Sequence, residues 1–142
     1  MKNSAGLVLL LCQSLIAVSA WPQVRDKSPE ASEPKSTVTI EGLVRDVACP
    51  IQNPEATATH LSMKCLKECA KNGSPLVILT KDGELYFPIS NKMPDVDERK
   101  RLLPFLGKYV VAKGTLYERK GTRAIVIAEI AERKDVPLTV EN

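Results

Sequence analysis

The chain has little of what most catalytic chemistry is built from: one histidine, one tryptophan and only 4% aromatic residues. Without a second histidine or a serine set in a nucleophile elbow, hydrolysis has no visible apparatus. The 7 glycines form no phosphate loop of the Walker or Rossmann type. Twenty basic against 17 acidic residues leave a formal charge of only +3, far from that of a nucleic-acid-binding tail or an acidic solvating segment. Long apolar runs are missing except at the extreme N-terminus, which argues against a membrane-spanning receptor. At 142 residues one domain is expected, and a large multidomain enzyme is excluded.

That N-terminal run has the layout of an export signal. Met1-Lys2-Asn3 is a short basic start, Ala5 to Val18 is apolar, and Val18-Ser19-Ala20 carries the small residues that precede a cleavage site. About 14 apolar residues fall short of the roughly 20 that cross a bilayer. Residues 1–20 are therefore expected to be a signal peptide cleaved near Ala20. The mature protein is then periplasmic or secreted, without a transmembrane anchor, and Cys12 is discarded. Residues 21–36, with Pro22, Pro29 and Pro34 among charges and small polar residues, have the composition of a disordered linker. A folded domain is expected over 37–134, with a C-terminal tail over 135–142.

Within that domain Val38, Ile40 and Val44 fall on alternate positions around Gly42, where a strand can bend. Over residues 57–72 the period changes to that of a helix: Leu61, Cys65 and Cys69 recur at i, i+4 and i+8, and Gly73 followed by Ser74-Pro75 stops the run. Residues 76–80 and 84–87 flank Lys81-Asp82-Gly83, a strong hairpin signal. Asp95-Val96-Asp97-Glu98 before Arg99-Lys100-Arg101 matches the dipole of a short helix that Pro104 and Gly107 end. Val110, Ala112 and Leu116 mark a fourth strand, and residues 124–130 a fifth. This order predicts a mainly β fold, a five-stranded OB-like Greek-key barrel. It has a cysteine-bearing helical insertion between strands 1 and 2 and a short helix between strands 3 and 4. An irregular α+β sandwich would give the same order.

Chemistry concentrates in 21 residues between the first two strands, which hold Cys49, Cys65, Cys69 and the lone histidine, His60. In an exported chain thiols tend to pair, so a structural disulfide is the plainest expectation. Residues four apart on a helix place their Cβ atoms about 5–6 Å apart, whereas a disulfide wants about 3.5–4.5 Å. A Cys65–Cys69 bridge is therefore strained, and the expected disulfide joins Cys49 with Cys65 or Cys69, leaving one thiol over. The same spacing suits a metal, because two thiolates one helical turn apart can face one ion while Cys49 and His60 approach from the loop. Three sulfurs and an imidazole make a tetrahedral zinc set, and thiolates also hold Cu(I).

Asp46, three residues before Cys49, can orient a metal ligand from behind or cap the turn entered at Cys49-Pro50. A second candidate surface combines Tyr86, Lys108, Tyr109, Lys113 and Tyr117, since OB-type barrels bind ligands on faces of aromatic and basic residues. For an exported chain a glycan or another exported protein is a better partner there than nucleic acid.

Three stretches carry a resemblance: Gly42-Leu43-Val44-Arg45-Asp46-Val47-Ala48-Cys49; Cys65-x3-Cys69-x3-Gly73; and Gly107-Lys108-x-Val110-x3-Gly114-x-Leu116. Together they resemble a group of small exported bacterial proteins with the pattern G-x-V-x-D-x-x-C, C-x3-C-x3-G and a closing G-K-x-V-x-x-x-G. The resemblance spans residues 40–130. It implies a bacterial source and export, maps the three cysteines of the pattern onto Cys49, Cys65 and Cys69, and brings no activity with it; His60 is not part of the pattern. The reading is an exported, non-enzymatic OB-like binding module whose three-cysteine cluster is a disulfide or a Zn or Cu(I) site. The alternatives are a thiol–disulfide redox protein, whose signature is a depressed cysteine pKa, and a barrel that binds glycan or protein through the tyrosine and lysine face.

Overall fold

The computed structural model describes residues 36–141. The expected signal peptide and all but the last residue of the expected linker lie outside the described residues. In chain order the elements are β1 (Ser36–Asp46), α1 (Ala48–Gln52), β2 (His60–Ser62), α2 (Met63–Lys71), β3 (Leu76–Leu79) and β4 (Leu85–Pro88). There follow α3 (Arg99–Leu102), a 3₁₀ turn over Leu103–Phe105, β5 (Tyr109–Arg119), β6 (Thr122–Glu132) and β7 (Thr139–Glu141).

Five of the strands close into a barrel in the order β1-β3-β4-β6-β5 and back to β1. All neighbours are antiparallel except β4 and β6, which run parallel. This is the mainly β, OB-like barrel that the strand pattern predicts. Closure depends on β1, which pairs with β5 over Ser36–Leu43 and with β3 over Leu43–Asp46. Where β1 passes from one partner to the other the wall is tight: a Cβ on Gly42 would stand 2.4 Å from the Leu79 carbonyl oxygen. Gly114, beside the irregularity in the β5–β6 ladder, is equally confined, 2.2 Å from the carbonyl oxygen of Val126. Both positions exclude a side chain because backbone approaches from the next strand.

The strands bury apolar residues on both faces, and the two sets form separate clusters. Ile40, Val44, Ile78, Val110, Ala112, Ile125 and Ile127 fill one, with Ala70 from α2 and Leu102 from α3 packed among them. Leu43, Leu79 and Tyr109 belong to the other, with Leu61 from β2 and Leu66 from α2. Because neighbours along a strand face opposite ways, β1 divides its residues between an interior core and an outer layer. No helix among the described residues is long and apolar enough to cross a membrane.

Two expectations change. The helix expected over residues 57–72 begins only at Met63; before it, His60–Ser62 forms β2, paired in parallel with β7. The Ser62 side chain accepts from the Cys65 N–H and so caps the helix. The expected tail at 135–142 is in part structural: β7 joins β2, and Val136 and Leu138 pack against the outer cluster. A three-residue strand shows no periodicity, and its partner lies at the far end of the chain.

Candidate metal centre

The three cysteines come from two short helices held against the end of β1. After Asp46 the chain turns into α1, and the Asp46 Oδ2 accepts from the Cys49 N–H at 2.9 Å, satisfying one of the donors that a helix start leaves unpaired. Val47 N–H donates to the Pro75 carbonyl at 3.0 Å, fixing this turn against the residue before β3. Cys65 and Cys69 sit one turn apart on α2, whose Leu66 and Ala70 are buried. The C-terminal end of α2 is held by the Arg99 guanidinium, which donates to the carbonyls of Ala70 and Ser74.

These constraints bring the sulfurs of Cys49, Cys65 and Cys69 within 4.8 Å of one another. Cys49 Sγ lies 3.2 Å from Cys65 Sγ, and Cys65 Sγ 4.0 Å from Cys69 Sγ. A metal bonded to thiolates at about 2.3 Å requires its sulfurs roughly 3.8–4.0 Å apart; the Cys65–Cys69 side matches that, and the Cys49–Cys65 side is shorter. With these side lengths the angle at the Cys65 sulfur is acute. Cys65 is exposed, while Cys49 and Cys69 are half-buried.

Burial pushes the Cys49 thiol up from its ordinary pKa, with the Cys65 hydrogen bond and the Asp46 charge acting in the same direction and the Arg45 charge opposing. Burial and the Asp46 charge likewise raise the Cys69 thiol. Asp46 itself is fully buried, and its second oxygen, Oδ1, has no hydrogen-bond partner. The adjacent Arg45, 2% exposed, donates through a terminal nitrogen to the Thr57 carbonyl at 3.1 Å.

His60 is not brought to the sulfurs. Its Nδ1 lies 3.2 Å from the Glu55 carbonyl oxygen and its Nε2 3.0 Å from a Glu141 carboxylate oxygen, so the ring joins β2 to β7. It cannot serve as fourth ligand in this arrangement, because β2, where a helix was expected, carries it to a different neighbour. Asp46 does cap the turn, as its place three residues before Cys49 suggested.

Two members of the expected ligand face, Tyr86 and Tyr109, pack in different clusters. Tyr109 is only 3% exposed and packs in the outer layer, with the Lys81 ammonium 5.6 Å from its ring centre. Tyr86 packs against the interior cluster, with Arg123 6.0 Å from its ring. Lys108 pairs with Glu132 at 3.1 Å. Lys113 remains exposed and Tyr117 half-buried. Tyr86 and Tyr109 serve opposite faces of the barrel wall, a division that residue type alone does not reveal. Sequence reasoning also missed Arg45 and Glu141; the one signal for Arg45 was a charge on the strand position following Leu43 and Val44.

No protein-family model, no curated protein and no solved structure matches this chain.

Proposed function

We propose that the protein is an exported OB-like barrel that binds a soft d¹⁰ metal ion, Zn²⁺ or Cu(I), through Cys49, Cys65 and Cys69, as a binding module and not a catalyst. The observation that carries this reading is the triangle of three sulfurs within 4.8 Å. Thiolates are the donors that such ions prefer, and two of the three come from one face of a capped helix. The basic and apolar N-terminus supports export, as does the resemblance to small exported bacterial proteins.

The geometry weighs against thiol–disulfide exchange within the cluster. In such exchange the attacking sulfur approaches the disulfide opposite the departing one, but Cys49 and Cys69 meet Cys65 at an acute angle. Two of the three thiols are raised in pKa, whereas an attacking cysteine is served by a lowered one. A structural disulfide is the second reading, favoured by the 3.2 Å approach of the Cys49 and Cys65 sulfurs.

Intact mass of the mature protein, native and then denatured, with thiol alkylation before and after reduction, separates the two. Three thiols protected until a Zn or Cu mass is removed support the metal site. A loss of 2 Da with one alkylatable cysteine overturns it in favour of the disulfide.

A further inference from the structure

The two helices that bring the sulfurs together are not held equally. α2 is capped by the Ser62 side chain, buries Leu66 and Ala70, and is tied at its C-terminal end by Arg99. α1 has five residues and buries none of them. Its anchor is the bond from the Cys49 N–H to Asp46, which fixes the main chain there and leaves the side-chain torsion of Cys49 to set where its sulfur lies. Cys65 and Cys69 therefore form the fixed side of the cluster, and Cys49 the side that yields.

The yielding sulfur stands between two bonded states. At 3.2 Å from Cys65 Sγ it is about 1.2 Å too far for a disulfide and about 0.6 Å too near for two thiolates on one Zn²⁺. The Cys65 and Cys69 sulfurs, at 4.0 Å, already have the spacing of ion ligands, and their places one helical turn apart oppose a bond between them. Cys65 is the exposed one of the three, so a small oxidant in solution reaches a sulfur that has a partner within closing distance.

We infer that the cluster is a redox-released Zn²⁺ site, in which a hydroperoxide oxidises Cys49 and Cys65 to a disulfide, frees the ion and leaves Cys69 as a thiol. This rests on the metal-binding reading above and adds its regulation. The Cys65 thiolate attacks the terminal peroxide oxygen; an S–O bond forms, the O–O bond breaks, and hydroxide or an alkoxide leaves. The Cys49 thiolate then attacks the Cys65 sulfur; the S–S bond forms, the S–O bond breaks, and hydroxide leaves. The two sulfurs have given up two electrons, the peroxide has taken them, and each departing anion draws a proton from solvent. Thiolates, not disulfides, are the metal ligands, so two of the three donors are lost at once. Zn²⁺ has no redox chemistry of its own, and the electrons come from sulfur alone. Cys69 does not take over the bond at Cys65, because it meets that sulfur at an acute angle to Cys49 and not from the opposite side.

The test loads the reduced protein with Zn²⁺ and adds hydrogen peroxide beside a chromophoric chelator too weak to draw the ion from untreated protein. The expected result is release of the bound Zn²⁺ in step with a mass loss of about 2 Da, a Cys49–Cys65 bridge in the peptide map, and alkylation at Cys69 alone. Reduction of the product should restore retention of the ion. Zn²⁺ that stays bound under peroxide, release with sulfinic acid and no disulfide, or a bridge that includes Cys69 overturns the inference while leaving the three-sulfur site standing. A reduced protein that retains Cu(I) and not Zn²⁺ does the same. One that retains neither ion overturns the metal reading itself.

Discussion

The interior of the barrel and the layer on its outer face are built from the same strands but to different specifications. Inside, the buried cluster is aliphatic, with Val44, Ile78, Val110 and Ile125 fully buried and Tyr86 packed at its edge. Outside, three segments remote in sequence meet: the region from Ala58 through α2, the far end of β3, and the stretch carrying Val136 and Leu138. Beside that layer lie Arg45, bonded to the Thr57 carbonyl, and the His60–Glu141 pair, while the thiols and the buried Asp46 gather where α1 and α2 meet the end of β1. The interior is held by packing alone, whereas the end of β1 and the outer layer carry the sulfur and charged groups.

The largest effect should come from the interior. Ile125→Ala removes a fully buried side chain and is expected to cost about 2–5 kcal/mol in urea unfolding. If the two regions are separable, affinity of the surviving folded protein for Zn²⁺ stays within a few-fold of wild type; a collapse of affinity would merge them.

Next in size is the ion. Zn²⁺ at one hundred times its dissociation constant should stabilise the wild type by about 2.7 kcal/mol, read as a shift in urea midpoint that a chelator reverses. Cys65→Ser removes the corner shared by both close sulfur contacts, and its midpoint should not respond to the ion.

Smaller still is the link between β2 and β7. His60 is 33% and Glu141 64% exposed, and exposed ion pairs contribute about 0.2–1 kcal/mol. His60→Ala should therefore cost no more than about 1 kcal/mol and leave ion binding unaltered. A large loss of ion affinity would return the histidine to the ligand set.

The smallest effect concerns a surface pair beyond both regions. Arg133 forks onto Asp135 and also reaches Glu41, and the hydrogen bond from Arg133 holds the Asp135 carboxyl down at about 2. A folded-state pKa below the unfolded value of about 3.9 gives stability present above that value and lost as the pH falls through the folded one. The stability difference between wild type and Asp135→Asn should accordingly fade between about pH 4 and pH 2. A difference that persists unchanged at the acid end would mean that the carboxylate charge is not its source.

The same contrast explains what could be read from the sequence. The barrel strands were legible because alternation and the Asp82-Gly83 turn act locally, and the three cysteines because they crowd one short stretch. Their proximity to Asp46 was legible as a turn cap only, since burial and the unpaired Oδ1 depend on how α2 covers the end of β1. His60 was misplaced because β2 is defined by its partner β7, and three residues carry no period of their own. Tyr86 and Tyr109 were grouped on one face because aromatic side chains fit either face of the wall, and only register decides which.

The double pairing of β1 also closes two loops of different length. Its contact with β3 joins Asp46 to Leu76, and the seam with β5 joins Ser36 to Leu116. Closing a longer loop costs more entropy, and contacts distant in sequence form more slowly. The shorter loop contains all three cysteines, so the sulfurs are expected to meet before the barrel closes, which pulsed thiol alkylation during refolding would check. On that order, an ion or an oxidant would reach the thiols while the sheet is still open, and maturation of the cluster would be a step within folding.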